Sequence, residues 1–227
     1  MSGFWRTAWT LARKDLVIEA RSRELAYTTL FFAVAVVLVF SFSFVVDGAP
    51  LTDAGAGILW VSVAFSGTLA LGRTFERERQ AETLRALLLA PVDRAALYLG
   101  KLLGLLILMF GVELLIVPLV GLLFHVPLFR APGLLLALLF TGTLGFAAVG
   151  TLFAAMLMRA HSRDVLLPVL LYPVTVPLVI AGVRGTASIF AIEPSFEMAQ
   201  AWLSMLVFFD AVFLTLALWM FGPVMSE

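Results

Sequence analysis

APGLLLALLFTGTLGFAAVGTLFAAMLM, residues Ala131 to Met158, runs for 28 positions without one charged side chain. Roughly 20 apolar residues in a helix cross the hydrocarbon of a bilayer, and within lipid a helix satisfies its own backbone donors and acceptors. The stretch is therefore long enough to span a membrane, and the chain repeats it. Leu25 to Val46 and Ala54 to Gly72 carry no charge, and Leu102 to Phe124 is interrupted only by Glu113. Val165 to Val183 is again free of charge, and Met198 to Val224 is interrupted only by Asp210. Six crossings predict an all-α polytopic membrane protein, with residues 1–227 forming a single transmembrane domain.

Composition agrees. Of 227 residues 62% are apolar and 13% charged, where ordinary soluble domains carry roughly 25% charged residues. That excludes a soluble globule. Fifteen Lys and Arg balance fifteen Asp and Glu, so no basic excess points to nucleic acid. Cysteine is absent, which removes disulfides and thiolate ligands. The first apolar run, 22 residues long and leading into Asp47-Gly48-Ala49-Pro50, exceeds the h-region of a signal peptide, about 7–15 residues, and reads as a retained anchor.

The placement of the cations sets a topology. With the N-terminus inside, thirteen Lys and Arg fall on the cytoplasmic side and two, Arg130 and Arg184, on the outer side. Cytoplasmic loops carry such an excess, so both termini are expected inside.

Most of the charge lies in two cytoplasmic segments. Residues 6–24 hold eight charged side chains and residues 73–101 hold ten. In residues 1–24, Phe4, Trp5, Ala8, Trp9, Ala12 and Leu16 share a helical arc opposite Arg6, Thr10, Arg13 and Lys14, as in a helix lying flat at the interface. Asp15 and Glu19 interrupt that arc, so the helix turns or meets a basic partner there. A plain anchor and a docking element both fit.

Residues 73–92 contain Glu76, Arg77, Glu78, Arg79, Glu82, Thr83, Leu84, Arg85 and Leu88. Glu76/Arg79 and Glu82/Arg85 stand at i,i+3, the spacing of a water-exposed helix, while Leu84, Leu87 and Leu88 give it one adhesive face. Pro91 stops it and Asp93 caps the next helix. By pattern alone this is either a solvated hairpin or a docking helix. No Gly-x-x-x-x-Gly-Lys-Ser/Thr phosphate cradle is present, since Leu102 follows Gly100-Lys101, so nucleotide hydrolysis by such a loop is not expected of this chain.

Inside the membrane, Pro173 and Pro177 deny hydrogen bonds to the carbonyls of Val169 and Pro173. A kinked or broken fifth span is expected, serving as a hinge, a path lining or a static packing device. Pro168 is expected in the first turn, where proline costs little. Glu113 and Asp210 sit near mid-span. A central carboxylate costs about 2.5–3.5 kcal/mol, and apolar neighbours returning about 0.3–0.6 kcal/mol each outweigh it. Such acids face a bundle interior or a cavity; Thr141, Thr143 and Thr175 could bond to them, and both structural hydrogen bonding and proton coupling fit. Gly100-x-x-x-Gly104, Gly142, Gly145 and Gly150 allow close helix contact. His125 and His161 are the only histidines, and a His at a membrane boundary reads first as an interface residue. No catalytic or metal-ligating set emerges.

The arrangement Glu-Arg-Glu, Glu82-Thr83-Leu84, Leu-Leu-x-x-Pro91 and Gly100-Lys101 resembles the coupling segment of type-2 ABC exporter permeases. Gly57-Ile-Leu-Trp60, Thr143-Leu-Gly-Phe146, the proline-rich run Leu166 to Pro177 and Phe209-Asp210 narrow the resemblance to the CcmB family. It is similar from about Trp5 to Glu227. The family is the permease subunit of the haem exporter of cytochrome c maturation, in the bacterial inner membrane. The resemblance implies that the segment from Glu76 to Leu88 couples to a separate CcmA-like ATPase. It also implies CcmC-like and CcmD-like membrane subunits and a CcmE-like haem chaperone as partners. Haem would be moved or handed over rather than held, with ligation in partner subunits, and ATP-driven release of the loaded chaperone is the favoured output. Two rivals remain: a type-2 permease for a lipid, polysaccharide or drug, and an intramembrane enzyme using Glu113 and Asp210 as an acid/base pair facing one cavity.

Overall fold

The computed structural model describes residues 2–46, 49–50, 54–74, 93–158, 160 and 162–224. Its helices are α1 (Ser2–Ser22), α2 (Glu24–Ser43), α3 (Gly55–Thr74), α4 (Arg94–Phe124), α5 (Pro132–Met156), α6 (Arg163–Phe190) and α7 (Phe196–Val224). Six of these, α2 to α7, are long and apolar enough to cross a membrane. The chain is an all-α, multi-pass membrane protein, as expected.

The helix ends differ from the apolar runs in instructive ways. The α2 helix stops at Ser43, and Val45–Val46 (β1) pairs antiparallel with Ala49–Pro50 (β2) in a minimal ladder. The first crossing thus ends before Val46. At the other extreme α4 starts at Arg94, eight residues before the apolar run, with Asp93 capping it by accepting from the Ala95 N–H at 2.9 Å. Hydropathy marks where hydrocarbon begins, whereas the cap marks where the helix begins. Helix α6 starts at Arg163, so Pro168 lies in its second turn and not in the first.

The expected break in the fifth span does not occur: α6 is continuous through Pro168, Pro173 and Pro177. Pro173 and Pro177 are exposed and four residues apart on one face, while Leu171, Thr175, Leu178 and Gly182 bury the opposite face. There α6 packs on α3, α5 and α7, and the Thr175 hydroxyl donates to the Leu171 carbonyl at 2.9 Å. Packing along the whole length holds the turns that flank the missing donors.

Helix α5 lies in the centre, touching α3, α4, α6 and α7. Its buried residues include Gly142, Thr143, Gly145, Phe146 and Gly150, small positions that admit neighbouring side chains. Without a hydrophobic force between helices in lipid, such close packing is what associates them. The buried ring of Trp60 on α3 occupies the space left by Gly142 on α5 and Gly182 on α6, and its Nε1 donates to Thr186 Oγ1 at 2.9 Å. Leu71 fills the corresponding space beside Gly150. The glycines in α5 therefore do make the expected close contacts.

Candidate functional site

The charge-rich segment expected to dock a partner lies largely outside the described residues: Glu76, Arg77, Glu78, Arg79, Glu82, Thr83, Leu84, Arg85 and Leu88 all fall there, as does His161. What the structure describes is the frame on either side, from the end of α3 to the start of α4. Both ends are braced.

At the end of α3, the buried Arg163 of α6 donates through Nη2 to the carbonyls of Leu71 at 3.2 Å and Gly72 at 2.7 Å. The last carbonyls of a helix lack intrahelical donors and carry partial negative charge, so a guanidinium there satisfies both needs. One residue on, Arg73 pairs with Glu24 of α2 at 2.7 Å. At the start of α4, Arg94 donates to the Gly222 carbonyl of α7 at 2.7 Å. On the opposite side of the bundle Arg130 donates to the carbonyls of Ile189 and Ala191 at the end of α6. The sequence reading does not single out Arg163, whose position at the head of an apolar run is the one signal of its burial.

The α1 helix completes the frame. Ala8, Leu11, Ala12 and Asp15 fit against Gly100 and Gly104 of α4, where a Cβ on Gly100 would come within 2.8 Å of Leu11 Cβ and 2.9 Å of the Ala8 carbonyl oxygen. The basic partner that the interrupted arc called for is Lys101, whose Nζ lies 2.8 Å from Asp15 Oδ2 while the residue is 2% exposed. Glu19 instead accepts from the Ala26 N–H at 2.8 Å, holding the corner at Arg23, a non-glycine residue with φ 54. The apolar arc of α1 is thus divided. Ala8 and Ala12 are buried in the protein, and Trp5 and Trp9 remain outside at 61% and 55% exposure.

The two intramembrane acids are separated. Glu113 of α4 is 5% exposed and accepts a hydrogen bond from the Thr143 hydroxyl of α5. Asp210 of α7 lies against Gly145 of α5, and its Oδ1 is buried without a hydrogen-bond partner among the described residues. Thr143 and Gly145 are two positions apart, which at 3.6 residues per turn puts them on nearly opposite sides of α5. The acids therefore flank a helix and do not face one cavity, which removes the geometry that an acid/base pair requires. Thr141 and Thr175 bond to carbonyls of their own helices rather than to either acid. Replacing Thr143 by Val leaves Glu113 buried without this donor, and should lower thermal stability by about 1–3 kcal/mol. Thr143→Ser should retain most of it, as read by the melting temperature of the purified chain.

The described residues thus form a bundle of six apolar helices with α1 clamped to the first turns of α4, and the sequence carries a charged connection between α3 and α4. The chain is 27% identical over 187 residues to heme exporter protein B of Bradyrhizobium diazoefficiens, covering 82% of this chain and 83% of that protein. The CcmB protein family matches residues 6–225. That match takes in every crossing together with α1 and the charged connection, and the chain belongs to the CcmB family.

Proposed function

We propose that this chain is the permease subunit of an ABC complex serving haem export in cytochrome c maturation, placed in the bacterial inner membrane with both termini cytoplasmic. The observation that carries the reading is the family match along nearly the whole chain, joined by similarity to a protein named for haem export. Orientation rests on the cation asymmetry across the six crossings. ATP is bound and hydrolysed by a separate CcmA-like subunit. CcmC-like and CcmD-like subunits and a CcmE-like chaperone complete the complex, and haem passes through or is released with the chaperone.

Coupling runs through Glu76, Arg77, Glu78, Arg79, Glu82, Thr83, Leu84, Arg85 and Leu88. A lever transmits force only when its base resists. The braces at both ends of the segment support this role, because Arg163 and Arg73 tie the end of α3 to α6 and α2, and Arg94 ties the start of α4 to α7. Closure of the ATPase would then move α3, α4 and α6 together. Pro168, Pro173 and Pro177 of α6 line the path or let the helix bend as the bundle rearranges. Glu113 serves as a structural acceptor through Thr143 and Asp210 as a packed polar group.

Charge reversal at Glu76, Glu78 and Glu82 is the direct test. In co-purification with the cognate ATPase, the triple variant should insert normally yet lose ATPase association by tenfold or more, since like-charge juxtaposition at an interface costs several kcal/mol. An undiminished complex would remove the coupling assignment.

A further inference from the structure

We infer that the outward face of α1 is a contact surface for anionic phospholipid headgroups, an inference that rests on α1 lying at the membrane surface. Both acids are turned toward the protein: Asp15 to Lys101 at 2.8 Å and Glu19 to the Ala26 N–H at 2.8 Å. Arg6, Arg13 and Arg21 are exposed, and their side chains have no ion pair or hydrogen bond among the described residues. Docking on α4 thus sorts a helix of mixed charge into an inner face that is neutralised and an outer face that is cationic.

The largest apolar side chains are sorted in the same way, with the smaller Val17 and Ile18 exposed elsewhere around the helix at 42% and 38%. At 3.6 residues per turn, Trp5, Trp9 and Leu16 occupy the flank beside the buried stripe of Ala8 and Ala12, and Arg13 and Arg6 follow next around the helix. Indole rings favour headgroup depth, and arginine stems run along apolar surface with the guanidinium in the phosphate layer. Tryptophan then arginine, met in that order moving away from the bundle, fits the passage from acyl boundary to phosphate. A neutral headgroup would satisfy the indoles but not three guanidinium groups. Phosphatidylglycerol or another anionic lipid satisfies both.

Such a contact would have a mechanical consequence. Because Asp15 and Lys101 join α1 to the first turns of α4, lipid that holds α1 also holds the helix onto which the charged connection leads. The membrane surface becomes a further support for that connection, beside Arg163, Arg73 and Arg94.

The test uses the full chain in nanodiscs of phosphatidylcholine alone and of phosphatidylcholine with phosphatidylglycerol at seven to three. Hydrogen exchange over residues 2–22 is read in both. Protection should rise about tenfold with the anionic lipid at low salt and fall back in molar salt, because contacts of exposed charges are screened. Arg6→Gln/Arg13→Gln/Arg21→Gln should abolish the increment while leaving protection in the neutral bilayer unchanged. Quenching of Trp5 and Trp9 by brominated phosphatidylcholine, taken as the difference from Trp5→Phe/Trp9→Phe, reports the interfacial position independently of charge. Quenching with no lipid-dependent increment overturns the headgroup assignment alone. No quenching overturns the interfacial placement as well. An increment retained in the triple variant, or seen only when the ATPase subunit is present, assigns the face to something other than anionic lipid.

Discussion

Replacing Gly142 and Gly182 together by alanine should unfold the centre of the bundle, lowering the melting temperature by about 10 °C or abolishing a monodisperse preparation, at roughly 2–4 °C per kcal/mol for a chain of this size. The reason is the ring between them. Trp60 is 1% exposed, and a Cβ on Gly182 would lie 2.5 Å from its Cε2, 2.6 Å from Cζ2 and 2.7 Å from Cδ2. A Cβ on Gly142 would overlap Cη2 and lie 2.5 Å from Cζ3. A single small-to-large change in a packed core costs about 1–3 kcal/mol when the neighbour can shift. Here the two added methyl groups would meet different atoms of one ring, and its movement would also break the hydrogen bond to Thr186, so the pair should cost more than the sum. The control is Trp60→Leu on the double background. If the clash is with the indole, the smaller side chain restores much of the lost stability, a coupling that a double-mutant cycle reads directly. Failure to rescue would mean that the glycines serve backbone contact between α5 and α6 and not the ring.

The crossings were legible in the sequence because lipid imposes a length and forbids charge, and both are visible in a string of letters. Less was visible wherever the outcome depended on what covers a face. The arc of Ala8 and Ala12 read as membrane-facing, because periodicity defines a face but not its occupant; the slot that claims it is made by Gly100 and Gly104, nearly a hundred residues away. The same limit applies to Trp60, whose neighbours Gly142 and Gly182 were legible as small residues but not as the two sides of one pocket. Asp15 was informative in the opposite way. An acid interrupting an apolar arc has to be compensated, so a basic partner was foreseeable although Lys101 itself was not. The prolines of α6 show a local rule losing to tertiary structure, since three absent donors do not break a helix whose other side is packed throughout.

The mid-membrane acids carry a related lesson. Composition marks Glu113 and Asp210 as unusual, and depth puts them level, which makes an acid/base pair imaginable. Only the side of α5 that each one meets decides the matter. Thr143 takes Glu113 toward α4, while Gly145 makes room for Asp210 toward α7. A glycine opposite a buried carboxylate provides space and no donor, so Asp210 relies on packing where Glu113 relies on a hydroxyl.

The joint between α1 and α4 should respond asymmetrically to loss of its two charges. Lys101 is 2% exposed and Asp15 retains 27% of its side-chain surface. Removing the partner of a buried ion leaves that ion less compensated, which costs about 3–5 kcal/mol, whereas replacing both members of a buried pair by apolar side chains of similar volume is often neutral. Asp15→Ala should therefore destabilise the chain by about 3 kcal/mol, toward the lower end because the carboxylate it removes is partly open to solvent. Lys101→Met should come within about 1 kcal/mol of the parent, since the carboxylate it leaves behind keeps Lys14 at 3.3 Å and access to water. Adding Lys101→Met to Asp15→Ala should then recover most of the loss, because no buried ammonium is left to compensate. Melting temperatures of the four proteins in one detergent check this, and they also locate the effect: exchange of residues 2–22 should accelerate in Asp15→Ala and return toward the parent in the double variant. Equal losses in both single variants would mean that the pair acts as a surface bridge, and that the Gly100 and Gly104 slot alone fastens α1 to the bundle.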